Sequence, residues 1–235
     1  MIAGLSKAVT LYLSTLLSLT ALLLAFFAYL APVFLLADRV SLLAVVPSNV
    51  LTSKNDSGNI DGPTLHIGAL GSCSRPNNDA SFSCTTPTLS PVYDLSDLPS
   101  NAPALLTAPA ATAPVFLAIS MFFSSLFVII FTIVSFRSKM GERISATLDK
   151  PFINRAVAWV GVFGFMIGLI SFLILRMWFG KAADDFNLGI EALGDSAPSI
   201  VAEIGNGFTM VWVAYAFLAV PLVCSLAKLH VTAGK

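Results

Sequence analysis

Charge is scarce in this chain: Asp, Glu, Lys and Arg make up 11% of its 235 residues and cancel to a net charge of zero. With 56% hydrophobic residues and a mean hydropathy of +0.84, a soluble globule could not keep its surface wet, so the composition predicts a polytopic membrane protein. No run of lysine and arginine interleaves with aromatics, which removes the electrostatic footprint of nucleic-acid binding. There are only two histidines and three cysteines, and the pair Cys73 and Cys84 has no histidine between or just after it, a poor match to a four-ligand zinc site. No metal or cofactor is expected. The central parts of the apolar runs hold no Asp, Glu, Lys, Arg or His, which argues against an intramembrane proton relay, ion pathway or protease dyad. The expectation is a non-enzymatic protein with no small-molecule substrate; a small membrane-embedded enzyme is the alternative from another class.

What the chain does have is apolar length. Ala8 to Leu36 is almost unbroken and is read as one helix, longer than the roughly 20 residues that cross a bilayer and far longer than the roughly 7 to 15 of a signal peptide. Residues 1–37 are therefore read as a first span with a short cytoplasmic N-terminus, leaving the membrane near Pro32 and meeting water at Asp38 and Arg39. Residues 114–136 form the second span, opening on Pro114; residues 156–175 form the third, and residues 208–227 the fourth, with Pro221 as a candidate kink. The loop of residues 137–155 holds Arg137, Lys139, Arg143, Lys150 and Arg155 against only Glu142 and Asp149. Such a basic loop lies in the cytoplasm, which places both termini there, residues 228–235 included, and residues 38–113 and 176–207 outside. The same five basic side chains are expected to contact anionic inner-leaflet lipids at about 1 kcal/mol each. Tyr29, Trp178 and Trp212 fall near one interface and Tyr12 and Trp159 near the other, as an aromatic belt. Gly161, Gly164 and Gly168 lie on the third span, and the GxxxG pair Gly164 and Gly168 lets a helix approach closely, an in-chain neighbour being favoured over a dimer partner. Beyond it, Phe186, Ile190 and Leu193 keep helical spacing. This predicts a helical hairpin over residues 176–207 that turns at Gly194-Asp195 and enters the fourth helix through Ser196 and Pro198, with Glu203 placed to pair with Arg176 or Lys181.

The outer segment, residues 38–113, is the one long polar stretch. Short β-prone runs at Leu42–Val46, Leu65–Leu70 and Ala80–Cys84 predict a small sheet, followed by a Pro/Ala-rich connector over Leu98–Ala113. Cys73 and Cys84, with ten residues between them, are read as a disulfide in an oxidising compartment, with two free thiols as the alternative. Asn55-Asp56-Ser57 is a sequon for N-linked glycan. His66 is read first as a strand histidine with no role and second as a group titrating near ambient pH. Cys224, near the inner end of the fourth span, is either buried or a site for palmitoylation.

Gly68-Ala69-Leu70-Gly71-Ser72-Cys73, followed after ten residues by Cys84, resembles the claudin-type signature, in which Gly-Leu-Trp, two residues and Cys precede a second Cys. The placement between the first two of four spans agrees. Leu70 stands where claudins carry tryptophan, and the Gly-x-x-Gly-x-Cys form is similar to the fungal claudin-like tetraspans, the eisosomal cortical-patch proteins and the PalI pH-response proteins. The resemblance covers the architecture of nearly the whole chain but only about seventeen residues of motif. It implies an all-α membrane protein, a four-transmembrane-helix bundle with a small disulfide-stapled extracellular β-sheet, multi-pass in the plasma membrane, with Gly68, Gly71, Cys73 and Cys84 as motif positions. It further implies a tetraspan acting by lateral association, as an eisosome-like scaffold or an accessory subunit, whose partners are membrane lipids and other membrane proteins or itself. A PalI-like accessory to ambient-pH sensing is the alternative. Many such proteins carry long cytoplasmic tails; this chain ends soon after Leu226, so no tail-borne signalling is expected.

Overall fold

A long apolar run can satisfy its own backbone in lipid only as a helix, and four such helices form among the described residues. The computed structural model describes residues 2–51, 60–104, 109, 112–139, 141, 145, 148 and 150–233, with the backbone alone for residues 2–11, 138 and 228–233. The helices are α1 (Ile2–Leu30), α2 (Thr112–Ser135), α3 (Pro151–Leu193) and α4 (Gly207–Ala233). Each contains a stretch long and apolar enough to cross a membrane, so the chain is a multi-pass membrane protein. Their ends follow local chemistry. The helix α1 stops at Leu30 rather than near Leu36, because Ala31 precedes Pro32 and a residue before proline is pushed out of the helical region. The helix α3 opens on Pro151, five residues before the expected span, where the missing N–H of proline costs nothing.

Among the described residues five short strands form one sheet: β1 (Leu43–Pro47), β2 (Thr64–Ile67), β3 (Ser72–Arg75), β4 (Ser83–Cys84) and β5 (Ile200–Ile204), in the order β4-β3-β2-β1-β5 and antiparallel throughout. Two strands differ from expectation. The strand β3 forms around Cys73 itself, and β5 replaces the outer arm of the expected helical hairpin over residues 176–207. Only its first arm is helical, since α3 continues to Leu193. Ser196 and Pro198 mimic a helix start, but Ile200-Val201-Ala202-Glu203-Ile204 alternates with period two, burying Ile200 and Ala202 and exposing Glu203. Pairing with β1, which sets Val45 opposite Ala202, fits that alternation and outweighs the cap.

The chain divides into two compact units. The helix unit comprises residues 1–26, 116–170 and 211–235, and its core joins Ala21, Phe127, Phe131, Val157, Leu218 and Leu222. The sheet unit comprises residues 27–115 and 171–210. Its buried side chains include Leu43, Val45, Leu65 and Ile67 from the strands and Phe172, Phe179, Phe186 and Ile190 from α3. Those four α3 residues lie on one helical stripe, with Lys181, Asp184, Asp185 and Glu191 exposed on the opposite face. This amphipathic stripe explains why α3 continues as a helix far beyond the length a bilayer requires.

One side chain closes an edge of the sheet. Asn187 of α3 reaches Ala202 with both ends of its amide, donating through Nδ2 to the Ala202 carbonyl at 2.8 Å and accepting the Ala202 N–H at 2.9 Å. It substitutes for a neighbouring strand. Asn187→Leu leaves a buried N–H and a buried C=O without partners, an expected cost of about 2–4 kcal/mol. Denaturant unfolding in mild detergent measures it, and a cost within about 0.5 kcal/mol of zero, the ordinary surface value, sinks the assignment.

Candidate functional site

The Gly68–Cys84 segment is built from β3, β4 and the turns around them. A disulfide joins Cys73 to Cys84, residues that face each other across β3 and β4. Closing a loop of separation 11 removes about 3 kcal/mol of chain entropy from the unfolded state. Cys73 is fully buried and Cys84 exposed. The two-residue strand β4 thus has little besides this bond and its pairing to hold it.

The two motif glycines are seats for neighbouring chain, chiefly backbone at Gly68 and side chains at Gly71. A Cβ at Gly68 would overlap the Ala31 carbonyl oxygen and stand 2.5 Å from Pro32 Cδ. A Cβ at Gly71 would meet Thr85 Oγ1 at 2.5 Å and Val33 Cγ2 at 3.1 Å. Between them the Gly68 N–H donates to the Gly71 carbonyl at 2.9 Å, and Tyr93 Oη donates to the Gly68 carbonyl at 3.1 Å. Burial pushes the Tyr93 hydroxyl well above its ordinary range, so it remains a donor. The segment after Cys84 returns through Thr85, whose Oγ1 accepts the Ser72 N–H at 3.0 Å, and through the Asp94 N–H, which donates to Ser72 Oγ at 2.9 Å. Hydrogen bonds from Ser96 hold the Asp94 carboxyl below the usual range.

His66 sits on β2 between Ala44 and Cys73 in register. Its ring lies 5.2 Å from that of Phe82, over which the Arg75 guanidinium stands at 4.9 Å. Nδ1 is buried and has no hydrogen-bond partner among the described residues. Desolvation first, and the Arg75 charge second, push the imidazole below its ordinary value, against a smaller opposing pull from Asp38. A histidine held neutral by folding contributes stability that is present above the unfolded value near 6.5 and is lost as pH falls through the depressed folded value. The unfolding midpoint is therefore expected to drop as pH falls below about 6.5, and to drop less in His66→Phe. Parallel midpoint-versus-pH curves for the two proteins refute this.

The glycines of α3 face inward in the helix unit. A Cβ at Gly161 would stand 2.7 Å from the Phe127 ring and 2.9 Å from Leu222 Cδ1; at Gly164 it would stand 3.0 Å from the Ser124 backbone nitrogen; at Gly168 it would overlap Tyr215 Oη and Ser120 Oγ. The users are α2 and α4 of the same chain. Ser120 Oγ donates to the Gly164 carbonyl at 2.8 Å, a buried bond between helices. The patch is consequently filled and offers no lateral surface.

Other expected residues lie apart. Lys139, Lys150 and Arg155 are exposed, while Arg137 is half-buried and donates to the Val134 carbonyl at 3.3 Å near the end of α2. Arg143 and Asn55 lie outside the described residues. Lys181 pairs with Asp185 at 2.8 Å, one turn along its own helix, rather than with Glu203. Arg176 stands 5.8 Å from the Phe208 ring. Tyr29 is buried, its hydroxyl donating to the Pro114 carbonyl at 3.2 Å, so it serves packing more than an aromatic belt. Cys224 is a half-buried free thiol. Sequence reasoning missed Asn187 and Asn206, whose Nδ2 donates to the Arg39 carbonyl at 2.8 Å. The only hint at Asn206 is its place between Gly205 and Gly207, a turn signal. Among the described residues no three His, Cys, Asp or Glu side chains gather as a metal site.

Compared with known proteins, the chain matches no family model and no curated protein.

Proposed function

We propose that this protein works by lateral association in the plasma membrane, organising a membrane domain or serving as accessory subunit to a larger membrane protein, in the manner of a claudin-like tetraspan with both termini cytoplasmic. The observation that carries the proposal is the division of side chains in the helices. Polar and small groups of the helix unit, Ser120, Ser124, Gly164, Gly168 and Tyr215, are buried inside, whereas Trp159, Phe163, Met166, Ile170 and Leu173 of α3 are exposed at helical spacing. Such a face has lipid tails and other apolar helices to meet, and no chemistry to perform. Extraction in a nanodisc-forming polymer with mass determination tests it. Repeated copies support a scaffold and a fixed complex with a larger protein supports a subunit, while a lone chain at every membrane density overturns both.

A second proposal is a PalI-like accessory to ambient-pH sensing, favoured by one feature, the buried Nδ1 of His66, which has no hydrogen-bond partner among the described residues. Its test is whether partner recovery changes between pH 5 and pH 7 in the native protein and ceases to change in His66→Phe.

A further inference from the structure

The apolar run that begins in α1 continues past the helix. Ala31 and Phe34 still donate to the Phe27 and Leu30 carbonyls at 3.0 and 3.1 Å, but from there the chain turns. Phe34, Leu35 and Leu36 project from the surface at 57%, 44% and 41% exposure. Leu36 adopts a positive φ of 58°, a conformation that bulky side chains rarely take and that persists only where its surroundings enforce it. Its carbonyl accepts both the Arg39 and the Val40 N–H at 3.0 Å, which closes the turn. Behind the three side chains the backbone is clamped, with Ala31 and Pro32 against Gly68 and Val33 against Gly71. The clamp directs this apolar triplet outward instead of letting it fold back into the sheet unit.

Water exposure of three adjacent large apolar side chains on a strained turn is unfavourable twice over, and the chain on either side indicates what covers them. The membrane-crossing stretch Tyr12–Leu30 ends four residues before Phe34. Asp38 and Arg39, two and three residues after Leu36, form an exposed ion pair at 3.1 Å that belongs in water. The triplet lies between these limits. A non-helical lipid-facing backbone is not tolerated in the hydrocarbon centre, but apolar side chains about 5–10 Å into the headgroup–acyl boundary are. We infer that Phe34-Leu35-Leu36 is an interfacial wedge seated in the lipid leaflet at the C-terminal end of α1. This surface for bilayer lipid extends beyond the helices and is independent of any lateral partner.

The full chain carrying Cys224→Ser, reconstituted in phosphatidylcholine/phosphatidylglycerol vesicles, accepts a nitroxide at Leu35→Cys, at Phe34→Cys or, as the aqueous control, at Arg39→Cys. Collision of the label with oxygen and with a water-soluble nickel chelate reports depth. The expected result is an oxygen-to-nickel ratio several-fold higher at 34 and 35 than at 39. Equal ratios at all three positions overturn the wedge. So does spin–spin broadening at 34 and 35 that vanishes on dilution with unlabelled protein, which would put a second copy there instead of lipid.

Discussion

Gly68→Ala is expected to cost about 3 kcal/mol or more, the upper part of the overpacking range, and to leave the sheet unit unable to close around its disulfide. The reason lies in what the new methyl would strike. Its neighbours are the Ala31 carbonyl oxygen, the Ala31 carbonyl carbon at 2.9 Å and the proline ring of Pro32 at 2.5 Å. All belong to backbone or to a ring locked to backbone, so no rotamer change makes room. Only a residue without Cβ permits this approach. Gly71→Ala meets mainly the side chains of Thr85 and Val33, which can turn aside, and its cost is expected to be smaller. Protease resistance of the oxidised protein in mild detergent, with denaturant unfolding alongside, separates the two. A Gly68→Ala protein as stable as the native chain, with its Cys73–Cys84 bond intact, refutes the close approach.

Gly168→Leu is expected to be as damaging in the helix unit, for a different reason that a compensating experiment can expose. Here the first atom added would run into Tyr215 Oη and Ser120 Oγ, the far ends of side chains rather than backbone. Gly168→Ala is accordingly expected to cost about 1–3 kcal/mol, and Gly168→Leu, which adds three more carbons to a filled interface, to disrupt packing among α2, α3 and α4. Tyr215→Phe with Ser120→Ala removes both obstructing oxygens. In that background Gly168→Ala should recover at least half of its loss, a coupling that residues in contact show and distant ones do not. The double change also removes the bond from Ser120 Oγ to the Gly164 carbonyl, so the comparison must be made as a full mutant cycle. Additive losses would mean that the glycine is not packed as described.

Much of this architecture was legible in the sequence because lipid imposes one solution on apolar runs. The four spans and the β-prone segments at Leu42–Val46 and Leu65–Leu70 rest on patterns read locally, and the Cys73–Cys84 bond on spacing. What escaped depends on contacts made at long sequence range. The strand β5 was hidden by Ser196 and Pro198, which promise a helix until β1 is known to lie alongside. Three of the four residues of strand β3 are serine or arginine, a composition that turns favour as much as strands. The spacing of Gly164 and Gly168 announced a close approach, yet it could not say that Ser120, Ser124 and Tyr215 would supply the approaching atoms. Gly68 was noticed as part of a motif; its physical role became visible only with Ala31 lying across it. The run to Leu36 was rightly seen as apolar and wrongly continued as helix, because hydropathy does not register the backbone restriction that Pro32 places on Ala31.

The amide of Asn187 has a consequence for stoichiometry. An antiparallel sheet can in principle grow from either free edge, and growth from both gives open-ended fibres. Here the β5 edge is occupied at its central residue, Ala202, by the protein's own side chain, which leaves β4 as the terminal strand at the other side. A sheet with one blocked edge can join a second sheet only by placing like edge against like edge about a twofold axis. Any assembly through strands therefore closes at two copies, and larger arrays have to be propagated within the plane of the lipid.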